Sequence, residues 1–223
     1  MQRSALFFAI LSLFMAGISC GRMSQPSGPV ESTPQVVEKH LSTFRPIQGT
    51  NYMIADISGS PPSAERDFSP FSWIERGYSG YAGYAIYNYV FFNSETETFN
   101  RLAPTNEYVV LQIMGFPSGA SPVESEDFEP IRWWSYLLVK EDTDKNGVLD
   151  YKDNLTLGIT DVGGNAPTEL ILEIDHVLGQ TLTEDNTLFV MYHLLDKNYV
   201  AKIDLLGRQV VTTTEMDLGD DVK

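Results

Sequence analysis

Trp133-Trp-Ser-Tyr-Leu-Leu-Val-Lys140 and Leu155-Thr-Leu-Gly-Ile-Thr160 stand on either side of Asp142-Thr-Asp-Lys-Asn-Gly-Val-Leu-Asp-Tyr-Lys-Asp153. In the first run Trp133, Ser135, Leu137 and Val139 fall on one face. In the second, Leu155, Leu157 and Ile159 alternate with Thr156, Gly158 and Thr160. That period of two, in segments of strand length rich in branched and aromatic residues, predicts two β-strands joined by a long polar loop. Neither flank has the 3.6-residue period of an amphipathic helix.

The same reading extends through most of the chain. Short β patterns occur over 52–57, 98–102, 108–114, 169–174, 188–194, 199–205 and 209–214. Residues 84–92 are apolar on both faces, which predicts a central strand covered on two sides. Residues 59–70, with Pro61, Pro62 and Pro70, and the acidic stretch 116–130 read as long loops. Residues 36–44 are compatible with one or two helical turns, and the folded domain is expected to begin near Arg45. The predicted class is mainly β, with an all-β domain over 45–216 and an acidic tail over 217–223.

The loop between the two strands carries the most legible chemistry. Counting Asp142 as the first position, side-chain oxygens fall at positions 1, 3, 5, 9 and 12, on Asp142, Asp144, Asn146, Asp150 and Asp153. Gly147 occupies position 6 and Val148 position 7. A hard cation of calcium's size takes six to eight oxygens at about 2.3–2.6 Å. Alternate residues of a tight loop can aim oxygens inward, and glycine permits the reversal at its centre. The expected cofactor is calcium.

The stretch resembles the calcium loop of EF-hand and dockerin proteins. Asp153 stands where EF-hands usually carry Glu, and dockerin-type loops commonly use Asp there. The resemblance implies side-chain ligands at Asp142, Asp144 and Asn146, and the carbonyl of Val148. It also implies Asp150 directly or through water, with Asp153 closing the site. Because strands flank the loop, the helix-opening response of sensor EF-hands is not expected. The loop is also similar to DxDxNGxxD loops within some β-propeller blades, in which the ligands would end at Asp150.

A weak repeat accompanies it. Ile54-Ala55-Asp56, Phe91-Phe92-Asn93, Ile159-Thr160-Asp161 and Lys202-Ile203-Asp204 each place Asp or Asn after a β pattern, at spacings of 37, 68 and 43 residues. The last is near the 40–45 residues of a propeller blade, and the units resemble blades of the WD40 or TolB type. Asp at strand ends is also ordinary turn chemistry. A small or partial propeller and a β-sandwich of meanders are both open.

The N-terminus reads as an export signal. Arg3 precedes an almost wholly apolar run over 5–18, followed by Ser19 and Cys20. The run suits a signal peptide better than a membrane span. Its end resembles a bacterial lipobox, departing from it at Gly17, where Leu is usual. The resemblance implies cleavage after residue 19 and acylation of Cys20, the chain's sole cysteine. Gly21 resembles the residue that follows the cysteine in lipoproteins sent to the outer membrane, facing either periplasm or cell surface. Residues 20–44, rich in Ser, Pro, Thr and Gln, read as a flexible tether.

A formal charge of −15 from 30 acidic and 15 basic residues argues against nucleic-acid binding, which needs clustered Lys and Arg. No nucleophile elbow, zinc-protease motif or phosphate loop occurs. His193 lies in a β pattern with Phe189 and Met191 and reads as a satisfied, partly buried imidazole; His40 reads as exposed. The acidic residues are too numerous to single out a hydrolytic pair.

Trp73, Tyr78, Tyr81 and Tyr84 lie among Gly77, Gly80 and Gly83. Such aromatics either seal one end of a core or present a surface for a glycan or peptidoglycan. Trp133 and Trp134 face opposite sides of their strand, so exposure of one would add to such a surface. The function expected from the whole is a lipid-anchored, calcium-binding envelope protein, non-enzymatic, that binds or scaffolds another envelope component. A glycan-binding module is the alternative, and a hydrolase follows.

Overall fold

The computed structural model describes residues 37–60, 84–117, 129–217 and 219. They belong to the unit Gln35–Lys223 and contain thirteen strands in three antiparallel sheets, with no helix among the described residues. The first sheet holds β1 (Lys39–Leu41), β2 (Arg45–Pro46), β3 (Tyr52–Gly59), β4 (Ala85–Asn93) and β5 (Thr98–Arg101). The second is β6 (Val109–Phe116), β7 (Trp133–Val139), β8 (Leu155–Asp161) and β9 (Thr168–Ile174). The third is β10 (His176–Leu182), β11 (Thr187–Leu194), β12 (Lys197–Asp204) and β13 (Gln209–Met216). In the second and third sheets the strands lie in chain order. That four-stranded meander is the connectivity of a propeller blade. The fold is mainly β, built of blade-like antiparallel meanders.

The second sheet is the inner layer. In β7, Leu137 and Val139 face the third sheet, in a cluster with Leu188, Val190, Ala201 and Ile203. Trp134, Tyr136 and Leu138, from the other face of the same strand, pack on Ile86, Tyr89 and Phe91 of the first sheet. Alternation with both faces apolar therefore yields a strand buried on both sides. Strand β4 is likewise buried from Ile86 to Phe91, as its sequence predicts.

Three details differ from the sequence reading. The stretch proposed as helical turns contains β1, which pairs with β3 through Lys39↔Gly59, His40↔Ser58 and Leu41↔Ile57. Order thus begins ahead of Arg45, within the stretch read as tether. Main-chain pairing to a sheet edge, together with the Lys39 ammonium 4.2 Å from the Tyr87 ring centre, outweighs the local preference. Strand β10 has no counterpart in the sequence pattern, because a bulge between Val177 and Gly179 breaks its alternation. Asp56 lies inside β3 rather than at its end, where its carboxylate accepts from Ser42 Oγ at 2.8 Å.

The other three repeat residues hold equivalent places. Asn93, Asp161 and Asp204 end β4, β8 and β12, each before a turn into the last strand of its sheet. Asn93 Oδ1 accepts from Glu95 N (2.9 Å), Asp161 Oδ1 from Gly163 N (3.0 Å) and Asp204 Oδ1 from Leu206 N (3.0 Å). Each side chain mimics the main-chain bond that opens a turn. The spacing from Asn93 to Asp161 is long because the interval contains the polar loop between β7 and β8.

Candidate metal centre

That loop joins neighbouring strands of the inner sheet, in register from Val139↔Leu155 to Trp133↔Asp161. Its second half is fastened by Leu149 and Tyr151, which pack against the main core. Gly147 takes φ +86° and Lys145 φ +61°, so the chain reverses twice at the centre. The first is easy only for glycine.

Oxygens of Asp142, Asp144 and Asp153 lie within 4.8 Å of one another. Asp142 Oδ1 and Oδ2 accept from Asn146 N (3.0 Å) and Gly147 N (2.8 Å). Asp144 Oδ1 and Oδ2 accept from Asn146 N (3.0 Å) and Asn146 Nδ2 (2.9 Å). Asn146 Oδ1 accepts from Val148 N (2.8 Å), and Asp150 Oδ1 from Lys152 N (2.8 Å). These successive turns wrap the main chain around the carboxylates. Asp150 is not part of the three-carboxylate cluster.

Asp153 differs from the others. It is 1% exposed. Its Oδ1 accepts from Thr143 N (2.7 Å), Thr143 Oγ1 (3.2 Å) and Asp144 N (3.2 Å), and its Oδ2 from Asp150 N (2.9 Å). Thr143, at an unremarked position of the motif, is the residue the sequence reading missed. Its hydroxyl also accepts from Asn154 N at 3.0 Å and so ties the two ends of the loop.

Two carboxylates at this separation repel by about 1 kcal/mol in water and by about 3 kcal/mol where screening is partial. A divalent cation placed among Asp142, Asp144 and Asp153 would add an attraction to each carboxylate that outweighs that repulsion. All the donors are oxygens, which suits a hard cation.

The aromatic candidates are distributed otherwise. Trp73, Tyr78, Tyr81 and Cys20 lie outside the described residues, and Tyr84 is 55% exposed. Of the tryptophans of β7, Trp134 is buried and donates from Nε1 to Val162 O at 3.2 Å, while Trp133 is half-buried with the Arg208 guanidinium 5.4 Å from its ring centre. That burial follows from the sheets packed on both faces of β7. His193 is half-buried, bonded to Asn198 Oδ1 at 3.0 Å and stacked on His176.

A groove of about 610 Å³ between the first and second sheets is lined by Arg45, Asp56, Ile54, Ile86, Tyr89 and Trp134, among others. Burial, followed by the Asp56 charge, raises the Tyr89 phenol well above its ordinary value, against a smaller opposing effect from Arg45.

The sequence matches no protein-family model. No curated protein matches it. Among solved structures the chain is similar to the β-propeller domain of the Trilobed protease from Pyrococcus furiosus, at 10% sequence identity and a TM-score of 0.40. The likeness covers 81% of this chain and 43% of that one.

Proposed function

We propose that this is a lipid-anchored envelope protein with one structural calcium ion and a binding or scaffolding role, not an enzyme. The observation that carries the calcium reading is the convergence of the Asp142, Asp144 and Asp153 oxygens within 4.8 Å, in a loop whose sequence meets the spacing rule for calcium. Asn146 and the Val148 carbonyl supply further oxygens, and Asp150 acts directly or through water. Calcium here is a clip: it neutralises carboxylates that the hairpin forces together, and fixes the loop at the end where it joins β7 to β8. Outside the cytoplasm, where calcium is abundant, an affinity of about 10⁻⁴–10⁻³ M keeps such a site filled. Cys20 carries the acyl chains, and the β domain binds another envelope component.

The test is melting of the protein with calcium and with chelator. Wild type should melt higher with calcium, and the Asp142→Ala, Asp144→Ala double variant should lose the difference. Identical wild-type melting in both conditions would remove the clip.

A further inference from the structure

The six candidate calcium-site residues are not equivalent, and the difference assigns them two jobs. Asp142, Asp144, Asn146 and Asp150 are exposed or half-buried, and among the described residues each side chain bonds only to main chain within five residues of itself or to a neighbouring ligand. Asp153 is buried, and its donors come from both ends of the loop: Thr143 and Asp144 at one, Asp150 at the other. A carboxylate has about four acceptor sites. Three donors converge on Oδ1 and occupy it, whereas Oδ2 accepts one and keeps a further acceptor site.

We propose that Asp153 is a positioning residue, a buried pin that folds the loop before an ion arrives. It does not close the site with both oxygens. Oδ1 is committed to Thr143 and Asp144, leaving Oδ2 as the single oxygen able to turn toward a cation. The proposal rests on the calcium reading for its consequence, since a preformed loop binds without the cost of ordering its ligands. The pin itself stands on the bonds just described. It also accounts for Thr143, whose hydroxyl and amide both serve Asp153 and no ligand position.

The experiment separates the two jobs with amide hydrogen exchange on the calcium-free full chain and calcium titration of the same samples. In calcium-free wild type the amides of Thr143, Asp144 and Asp150 should be protected by at least about 100-fold. Asp142→Asn should lose most calcium affinity and leave that protection unchanged. Asp153→Asn should lose the protection in the absence of calcium, with a smaller loss of affinity, and Thr143→Val should weaken the same amides. Protection that appears only after calcium is added would overturn the pin. So would an Asp153→Asn variant that loses calcium binding while its calcium-free amides stay protected. If wild type protects these amides and binds no calcium, the calcium reading fails and the pin stands.

Discussion

Arg208, in the turn between β12 and β13, donates from Nη1 to the main-chain oxygen of Asn165 at 3.0 Å, in the turn between β8 and β9. The same guanidinium bonds the Ala166 carbonyl, lies 3.8 Å from the Asp161 carboxylate and covers the Trp133 ring. From the opposite side, Asn100 Nδ2 of β5 donates to Gly163 O (3.0 Å) and Asn165 Oδ1 (2.9 Å). The turn after Asp161 is thus held by both neighbouring sheets. It leaves no room for side chains there: a Cβ on Gly164, at φ +71°, would come 2.2 Å from the Phe91 ring.

Arg208→Ala should therefore destabilise the domain by about 1–3 kcal/mol, through lost charge-assisted bonds and ring contact. Arg208→Lys should recover little of it, because an ammonium cannot bond two carbonyls while lying flat on Trp133. Urea unfolding of both variants measures this. A change within about 0.5 kcal/mol for the alanine variant, the level expected of an ordinary surface site, would contradict the latch.

Ser135 offers the reverse case. It is 1% exposed in β7 and its hydroxyl has no hydrogen-bond partner among the described residues. Ser135→Ala removes a buried polar group that gains nothing in the fold, so stability should hold or rise by about 1 kcal/mol. A loss of that size in the same unfolding assay would mean the hydroxyl is satisfied.

At alkaline pH the buried tyrosines should govern stability. Burial raises the Tyr136 phenol well above 10.0, with the Glu169 charge adding to it and Arg208 opposing; Tyr89 is raised as well, chiefly by burial. The unfolded chain releases these protons near pH 10 while the native state keeps them. The contribution is therefore whole below pH of about 10 and is lost as pH rises toward the folded values. Each such group should lower stability by up to about 1.4 kcal/mol per pH unit there. Tyr136→Phe should flatten the slope, read from urea unfolding at stepped pH, and an unchanged slope would exclude Tyr136 as a source.

The calcium contribution should be modest. With a dissociation constant of about 0.1 mM and calcium at about 1 mM, linkage supplies roughly 1.4 kcal/mol. For a domain of this size that is a rise of about 3–6 °C in melting temperature. A shift that stays flat as calcium is raised tenfold further would point to a much weaker or absent site, since linkage stability grows with the logarithm of free ion.

The proposed anchor has its own readout. Cys20→Ser should move the protein from the membrane fraction to the soluble one, because two or more acyl chains hold stably where none remain to do so. Unchanged fractionation would remove the lipoprotein reading.

The sequence by itself determined the β class and most of the strands, because a period of two in apolar residues has one common physical cause, a pleated segment with a buried face. It also marked Asp142, Asp144, Asn146, Val148, Asp150 and Asp153 as candidate ligands by their spacing, and among their carboxylates the fold brings those of Asp142, Asp144 and Asp153 within 4.8 Å of one another. Tertiary structure alone decided what depends on residues far apart in the chain. Asn88, a polar residue inside an apolar strand, makes sense only once its Nδ2 is seen donating to Ala103 O and Thr105 O at 2.9 and 3.0 Å. Trp134 is buried and Trp133 half-buried because a sheet arrives on each side of β7. Strand β1 exists because β3 offers an edge. The spacing marks Asp153 as the residue that closes the loop, but its burial is visible only in the fold: a carboxylate shut away from water must be supplied with donors, and those donors come from the two ends of the loop.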